Sequence, residues 1–308
     1  MHTTLTPTPF AGWDASLSLA TPYVQLILPT EIGPRLLFFG PPGGVNALGL
    51  MPAHLGHTGG NAWRLYGGHR LWHAPESHPR TYQPDNAPIA ATPLPDGGLR
   101  LTQPIEPTTG IEKQLDLHLH PGQPSLRLRH TLTNLGLWPV TLAPWAITVM
   151  APAGTAILPL PPRRPHPQAL QADSTLILWA YTDLSDPRYT FSPTTLFLRH
   201  NPAATTPQKI GLSGSPGWLA YSHPGFLFIK TFVVQPAATY PDRGASAEVY
   251  TDASVLELES LAPLTTLAPG QSTSHTEYWW LFPGAPVIHT PADLETHLYP
   301  HLPSLTDW

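Results

Sequence analysis

Prolines occupy 41 of the 308 positions and run from Pro7 to Pro303 with no long stretch free of them. Each one removes a backbone donor and clashes with the preceding turn inside a helix, so a chain punctuated this way cannot build long helices. The 24 glycines add further breaks, and short strands joined by turns are what remains. An all-β fold with at most short helices is therefore expected. Hydrophobic residues make up 41% of the chain, enough for a large core, and charged residues only 11%. In so charge-poor a sequence, any charge inside an apolar strand marks a place where chemistry or structure required it.

The formal net charge of −5 gives no electrostatic reason to expect nucleic acid or an anionic membrane as partner. The absence of cysteine excludes disulfides and thiolate metal sites. No apolar run reaches the roughly 18 residues of a membrane span, and Met1 to Pro7 lacks the basic and apolar regions of a secretory signal. A cytoplasmic protein is the expectation. All-β folds of this size occur as single domains, and with no internal repeat and no compositional boundary one domain is expected over 1–308. The proline-rich stretches Pro159 to Pro167 and Asn201 to Pro207 read as surface connections.

Apolar and β-branched runs predict strands at 23–28, 35–39, 126–133, 141–150, 175–180, 226–234, 248–259 and 276–282. Leu126, Leu128 and Leu132 alternate with polar residues at 127, 129, 131 and 133, the period of a sheet with one wet face. Phe226 to Val234 is apolar on both faces, as in a strand covered on both sides, and Lys230 shares a face with Phe226, Phe228 and Phe232. One terminal helix is predicted, with Thr290 as cap, Pro291 at its first position, Asp293 in its first turn, and Leu294 and Leu298 on its packed face.

Two clusters could carry chemistry. The first, Tyr66 to Glu76, gathers His69, Arg70, Trp72, His73 and Glu76 within eleven positions. Gly67, Gly68 and Pro75 argue against a helix, so a rigid loop aiming its side chains into a cleft is expected. His69 and His73 have the spacing of helical metal ligands, but without a helix no metal is expected there. The second cluster is Tyr250 to Ser260, where Glu257 and Glu259 fall on one face of a strand about 7 Å apart. Such a pair is either a solvated face or a site with a general base. His118 and His120 read as same-face strand residues, and Tyr240 to Gly244, which includes Asp242, as a turn. Lys230 is either a buried ligand-binding ammonium or one that reaches the sheet edge. Neither a phosphate loop nor a nucleophile elbow is present.

The order of these segments resembles the galactose mutarotase-like (aldose 1-epimerase-like) superfamily, a β-supersandwich fold. Leu26 to Leu36 resembles its opening strand pair, with Gly33 and Arg35 ahead of an apolar strand. Tyr66-Gly67-Gly68 sits where the epimerases carry a histidine and two glycines, and Arg127 to Asn134 resembles a strand ending in a threonine-asparagine turn. Leu256 to Glu259, followed by Leu267-Ala268-Pro269-Gly270-Gln271, resembles the segment with the catalytic glutamate. The resemblance implies Glu259 as the base, with Glu257 one pleat away as the alternative. The chain departs from the pattern at both histidines: Tyr66 holds the first position, and Pro144 to Thr148 contains none.

The resemblance implies a small-molecule carbohydrate as ligand and no cofactor. In an aldose 1-epimerase-like reaction Glu259 would take the anomeric proton and His69 or His73, from the neighbouring cluster, would protonate the ring oxygen. Arg70, Lys230 and Asp242 would hold hydroxyls or a substrate anion, and Trp72 or Trp145 would stack on the sugar. The alternative is a carbohydrate-binding protein without turnover, and a third reading is a lyase or glycoside hydrolase built on Glu76 and Glu259.

Overall fold

The computed structural model describes residues 3–304; Met1, His2 and residues 305–308 lie outside it. Strands dominate, as the proline distribution predicts, and the single α-helix among the described residues is five residues long. A ten-stranded and an eight-stranded antiparallel sheet stack face to face, and a four-stranded sheet from the N-terminal 40 residues packs against them. The core between the layers joins Leu71, Leu142, Ile210 and Leu258 of the eight-stranded sheet to Leu117, Leu128, Phe228 and Trp279 of the ten-stranded one. Truncating a side chain as deeply buried as Phe228 costs about 3–5 kcal/mol in such a core.

Local chemistry explains the layers. In Ser125–Asn134 the leucines point inward and Arg127, Arg129, Thr131 and Thr133 outward, with His130 taking the inward position between Leu128 and Leu132. Phe226–Phe232 is buried along its whole length. Its Phe226, Phe228 and Phe232 enter the main core, while Leu227 and Ile229 are covered by Ile288, Leu294 and Leu298 of the C-terminal segment. The terminal helix is shorter than expected, Asp293–His297, with Ala292 rather than Thr290 at its N-cap. The cap is reversed: Asp293 Oδ2 accepts the backbone N–H groups of His289 and Thr290, both at 2.8 Å.

Two expectations about local structure need correction. The run 248–259 is two strands, Ala247–Thr251 and Leu256–Leu261. Between them Asp252 Oδ1 accepts from the backbone N–H groups of Ser254 and Val255, a local turn that period-two hydrophobicity does not reveal. The Tyr66 to Glu76 cluster is not a loop: His69–Ala74 is a fully buried strand between Arg35–Leu36 and Val140–Val149. Its glycines lie just before the strand. Gly67 and Gly68 have φ of +89° and +66°, and a Cβ on Gly68 would stand 2.0 Å from the Leu36 carbonyl oxygen, so they serve a tight backbone crossing.

Candidate functional site

A strand sends alternate side chains to opposite faces, and His69–Ala74 sends polar groups to both. Arg70 and Trp72 face outward, away from the sandwich interior, and help line a cavity of about 400 Å³ on the outer face of the eight-stranded sheet. Neighbouring strands add Trp145 and Ile147 from Val140–Val149, Glu257 and Glu259 from Leu256–Leu261, Tyr250 from Ala247–Thr251, and Lys209 from Gln208–Leu212. Glu76 and Tyr82 stand on its rim with Trp63 and Tyr181.

The floor is an ordered charge pattern. Lys209 Nζ lies 2.9 Å from Glu259 Oε2 and 2.7 Å from Glu248 Oε2, and Trp145 Nε1 donates to the same Glu259 oxygen at 2.8 Å. Both bonds fall on Oε2, which leaves Glu259 Oε1 as a fixed acceptor without a hydrogen bond. Arg70 Nη1 donates to Glu257 Oε1 at 2.9 Å. Burial raises the Glu257 carboxyl, against the opposing pull of Arg70. Burial likewise raises Glu248 well above the carboxylate range, with Lys209 opposing. Asp242, left-handed at φ +47°, is raised by burial and is not among the lining residues.

Two donors on this face have no partner: Arg70 Nε and Trp63 Nε1. A buried donor left unpaired costs about 1–3 kcal/mol, a cost that a ligand carrying acceptors would relieve. Trp63, Trp72 and Tyr82 meet edge to face with centroids 5.0 to 5.6 Å apart. The Arg70 guanidinium lies 4.7 Å over the Trp72 ring and the Lys209 ammonium 4.7 Å over the Trp145 ring. Those two indoles are thus faced by cations, and the more accessible rings are Trp63, Tyr82, Tyr181 and Tyr250.

The histidines expected as acids do not join Glu259. His69 and His73 project from the opposite face of the strand and are both fully buried. His73 Nε2 lies 3.4 Å from Glu106, whose other oxygen is 2.6 Å from Lys113 Nζ. His69 enters a network between the sheets, and Lys230, expected to touch substrate, stands at the centre of that network instead. Lys230 Nζ donates to Glu277 Oε1 at 2.7 Å and to the Leu258 carbonyl at 2.9 Å. Its position follows from the face it shares with Phe226, Phe228 and Phe232, which is the core face.

One set of tautomers satisfies this interior network. Thr148 Oγ1 donates to His69 Nδ1 at 2.9 Å, His69 Nε2 to His130 Nε2 at 2.7 Å, and His130 Nδ1 to the His275 carbonyl at 3.1 Å. His275 Nε2 donates to Ser260 Oγ at 2.7 Å, Ser260 Oγ to Glu277 Oε1 at 2.6 Å, and Trp279 Nε1 to Glu277 Oε2 at 2.8 Å. His69, His130 and Glu277 hold ligand atoms within 4.8 Å of one another, yet these hydrogen bonds already account for both nitrogens of each ring and both carboxylate oxygens. Burial keeps the imidazoles neutral, lowering His69 and His130 and bringing His275 down to about 3.

Tyr66, at the position that resembles the first epimerase histidine, is buried in a separate cluster with Trp13, Ile32 and Leu37, where its hydroxyl donates to Asn86 Oδ1 at 2.8 Å. Arg35 lies 5.1 Å from its ring and pairs with Asp85 at 2.5 Å. Among the cleft residues, Lys209, Trp63, Tyr82 and Tyr181 were not anticipated, whereas Tyr250 opens the second sequence cluster. Lys209 had a legible signal, a lone charge in the apolar run Lys209-Ile210-Gly211-Leu212; the aromatic residues arrive from separate connections and had none.

Neither protein-family profiles nor curated protein sequences match the chain. Solved structures do match. A galactose mutarotase-like protein from Lactobacillus casei aligns over 87% of this chain and 100% of its own, with a TM-score of 0.54 at 10% identity. One from Clostridium acetobutylicum aligns over 92% and 99%, with a TM-score of 0.54 at 8% identity. The Slr1438 protein from Synechocystis aligns over 90% and 99%, with a TM-score of 0.56 at 12% identity. Sheet order, stacking and these matches agree: the chain has the galactose mutarotase-like β-supersandwich fold.

Proposed function

We propose that the protein binds a neutral carbohydrate in the cleft over Glu259. The observation that carries this reading is the unsatisfied polarity of that face. Glu259 Oε1 is a fixed acceptor, Arg70 Nε and Trp63 Nε1 are donors without partners, and accessible aromatic rings stand beside them. A sugar ring offers what these groups lack, hydroxyls that donate and accept and an apolar C–H face. Arg70, Glu257 and Glu259 would hold hydroxyls, Trp63 and Tyr82 the ring face, and Glu76 the rim. The fold supports a carbohydrate-related role without specifying the reaction.

Aldose mutarotation is a second reading, favoured by the free oxygen of Glu259 at the position where the resemblance puts the catalytic glutamate. Its proton donor would not be an imidazole of the described residues, because no histidine among them lines the cleft. Glu257, with its raised carboxyl, is the nearest candidate acid on the same strand face.

Titration calorimetry with a panel of aldoses, run on wild type and Glu259→Gln, tests binding; polarimetric relaxation of the same sugars tests turnover. Saturable binding of at least one aldose, weakened about tenfold or more by Glu259→Gln, is expected. A panel that leaves the wild type unperturbed, or affinities indifferent to Glu259→Gln, would remove the reading.

A further inference from the structure

A larger cavity, of about 830 Å³, adjoins the cleft, and Tyr82 lines both. The two lie along the same connections: Trp63 lines the first and Asn61 the second, Glu76 the first and Pro79 the second. Single small-molecule sites fall between about 300 and 1,000 Å³, so the two together exceed what one monosaccharide needs.

The lining of the larger cavity says what would fit. Its walls include the proline rings of Pro84, Pro88, Pro104 and Pro107, and its polar groups include the carboxamides of Asn61, Gln83, Asn86 and Gln103. Gln103 is 6% exposed, and its Oε1 has no hydrogen-bond partner, so this cavity too holds an unsatisfied buried acceptor. The charged groups on the wall are all carboxylates, Glu31, Asp85 and Glu106. An anionic ligand is disfavoured, and a neutral one with hydroxyl donors and apolar C–H faces matches.

We propose that this second cavity is the subsite for the next sugar residue of an oligosaccharide whose first residue sits over Glu259, with Tyr82 as the wall both residues touch. The assignment rests on the carbohydrate reading of the Glu259 cleft. It makes the preferred ligand a disaccharide or longer chain. Gln103 Oε1 accepts a hydroxyl of the second residue, and the proline rings cover its apolar face.

Calorimetric titrations of glucose and galactose against maltose, cellobiose and lactose test it. At least one disaccharide is expected to bind about tenfold more tightly than its monosaccharide. Gln103→Ala removes an acceptor that has no partner in the protein, and Thr108→Trp adds a large side chain at an exposed position of the cavity wall. Each should bring the disaccharide back to within about threefold of the monosaccharide and leave monosaccharide affinity unchanged. Monosaccharides that bind in a Glu259-dependent way, with no gain for any disaccharide, would overturn this subsite alone. A gain that survives both substitutions, or a gain for octyl glucoside but for no disaccharide, would also overturn it. Failure of every sugar to bind would bring down both this subsite and the reading beneath it.

Discussion

The two faces of the eight-stranded sheet carry nearly the same chemistry with opposite completeness. On the inner face, Lys230, Glu277, His69 and His130 form a network in which one arrangement of protons gives every nitrogen and carboxylate oxygen a partner. On the outer face, Lys209, Glu259, Arg70 and Glu257 pair with one another, but Arg70 Nε and nearby Trp63 Nε1 have no partner and Glu259 Oε1 no hydrogen bond. A buried network that closes on itself stabilises one arrangement of the chain. One that leaves donors and acceptors unmatched is complementary to something that is not the protein. Residue type does not distinguish these two networks; their unmet hydrogen bonds do.

The largest expected effect tests closure on the inner face. Lys230→Ala leaves the Glu277 carboxylate buried without its cation and should destabilise the fold by about 3–5 kcal/mol in urea unfolding. A loss under about 1 kcal/mol would mean that the network is looser than its hydrogen bonds imply.

Acid is the next probe. Burial lowers His69, His130 and His275 below their ordinary value, so the unfolded chain takes up protons below about pH 6.5 that the folded chain refuses. The contribution of these histidines to stability should therefore fall as pH falls, by up to about 1.4 kcal/mol per pH unit for each, with the raised carboxyls of Glu248 and Glu257 acting in the opposite direction. Unfolding midpoints at pH 7, 6 and 5 check the sign.

On the outer face stability and binding should separate. Glu259→Gln keeps an acceptor for Trp145 and leaves Lys209 paired with Glu248, so its fold cost should stay within about 1 kcal/mol while sugar affinity drops. Smallest of all, Trp63→Phe removes an indole N–H without a partner. Its thermal midpoint should barely move, while sugar affinity falls several-fold. A cleft variant that unfolds the protein while sparing affinity would erase the contrast between the faces.

The fold was legible because its signals are local. Proline frequency excludes long helices, and the alternation at Leu126, Leu128 and Leu132 fixes the wet face of one strand. The glutamates were legible as a same-face pair. The face of a strand within the sandwich was not, because His69–Ala74 is buried on both sides and its pattern has no polar face to orient it. His69 and His73 therefore looked equivalent to Arg70 and Trp72. Lys230 misled for a related reason. The chain has three lysines, and all three are buried against carboxylates: Lys113 with Glu106, Lys209 with Glu248 and Glu259, and Lys230 with Glu277. Sequence marks each as exceptional, but only the opposing strand decides which one faces a cavity.

The most direct test observes both faces at once through indole N–H resonances, assigned with single Trp→Phe variants, as a binding sugar is titrated. Trp145 donates to Glu259 in the cleft and Trp279 to Glu277 in the interior. The account predicts that the Trp145 and Trp63 signals move with a common saturation curve while Trp279 stays fixed. Movement of Trp279 with Trp145 and Trp63 unmoved would contradict it.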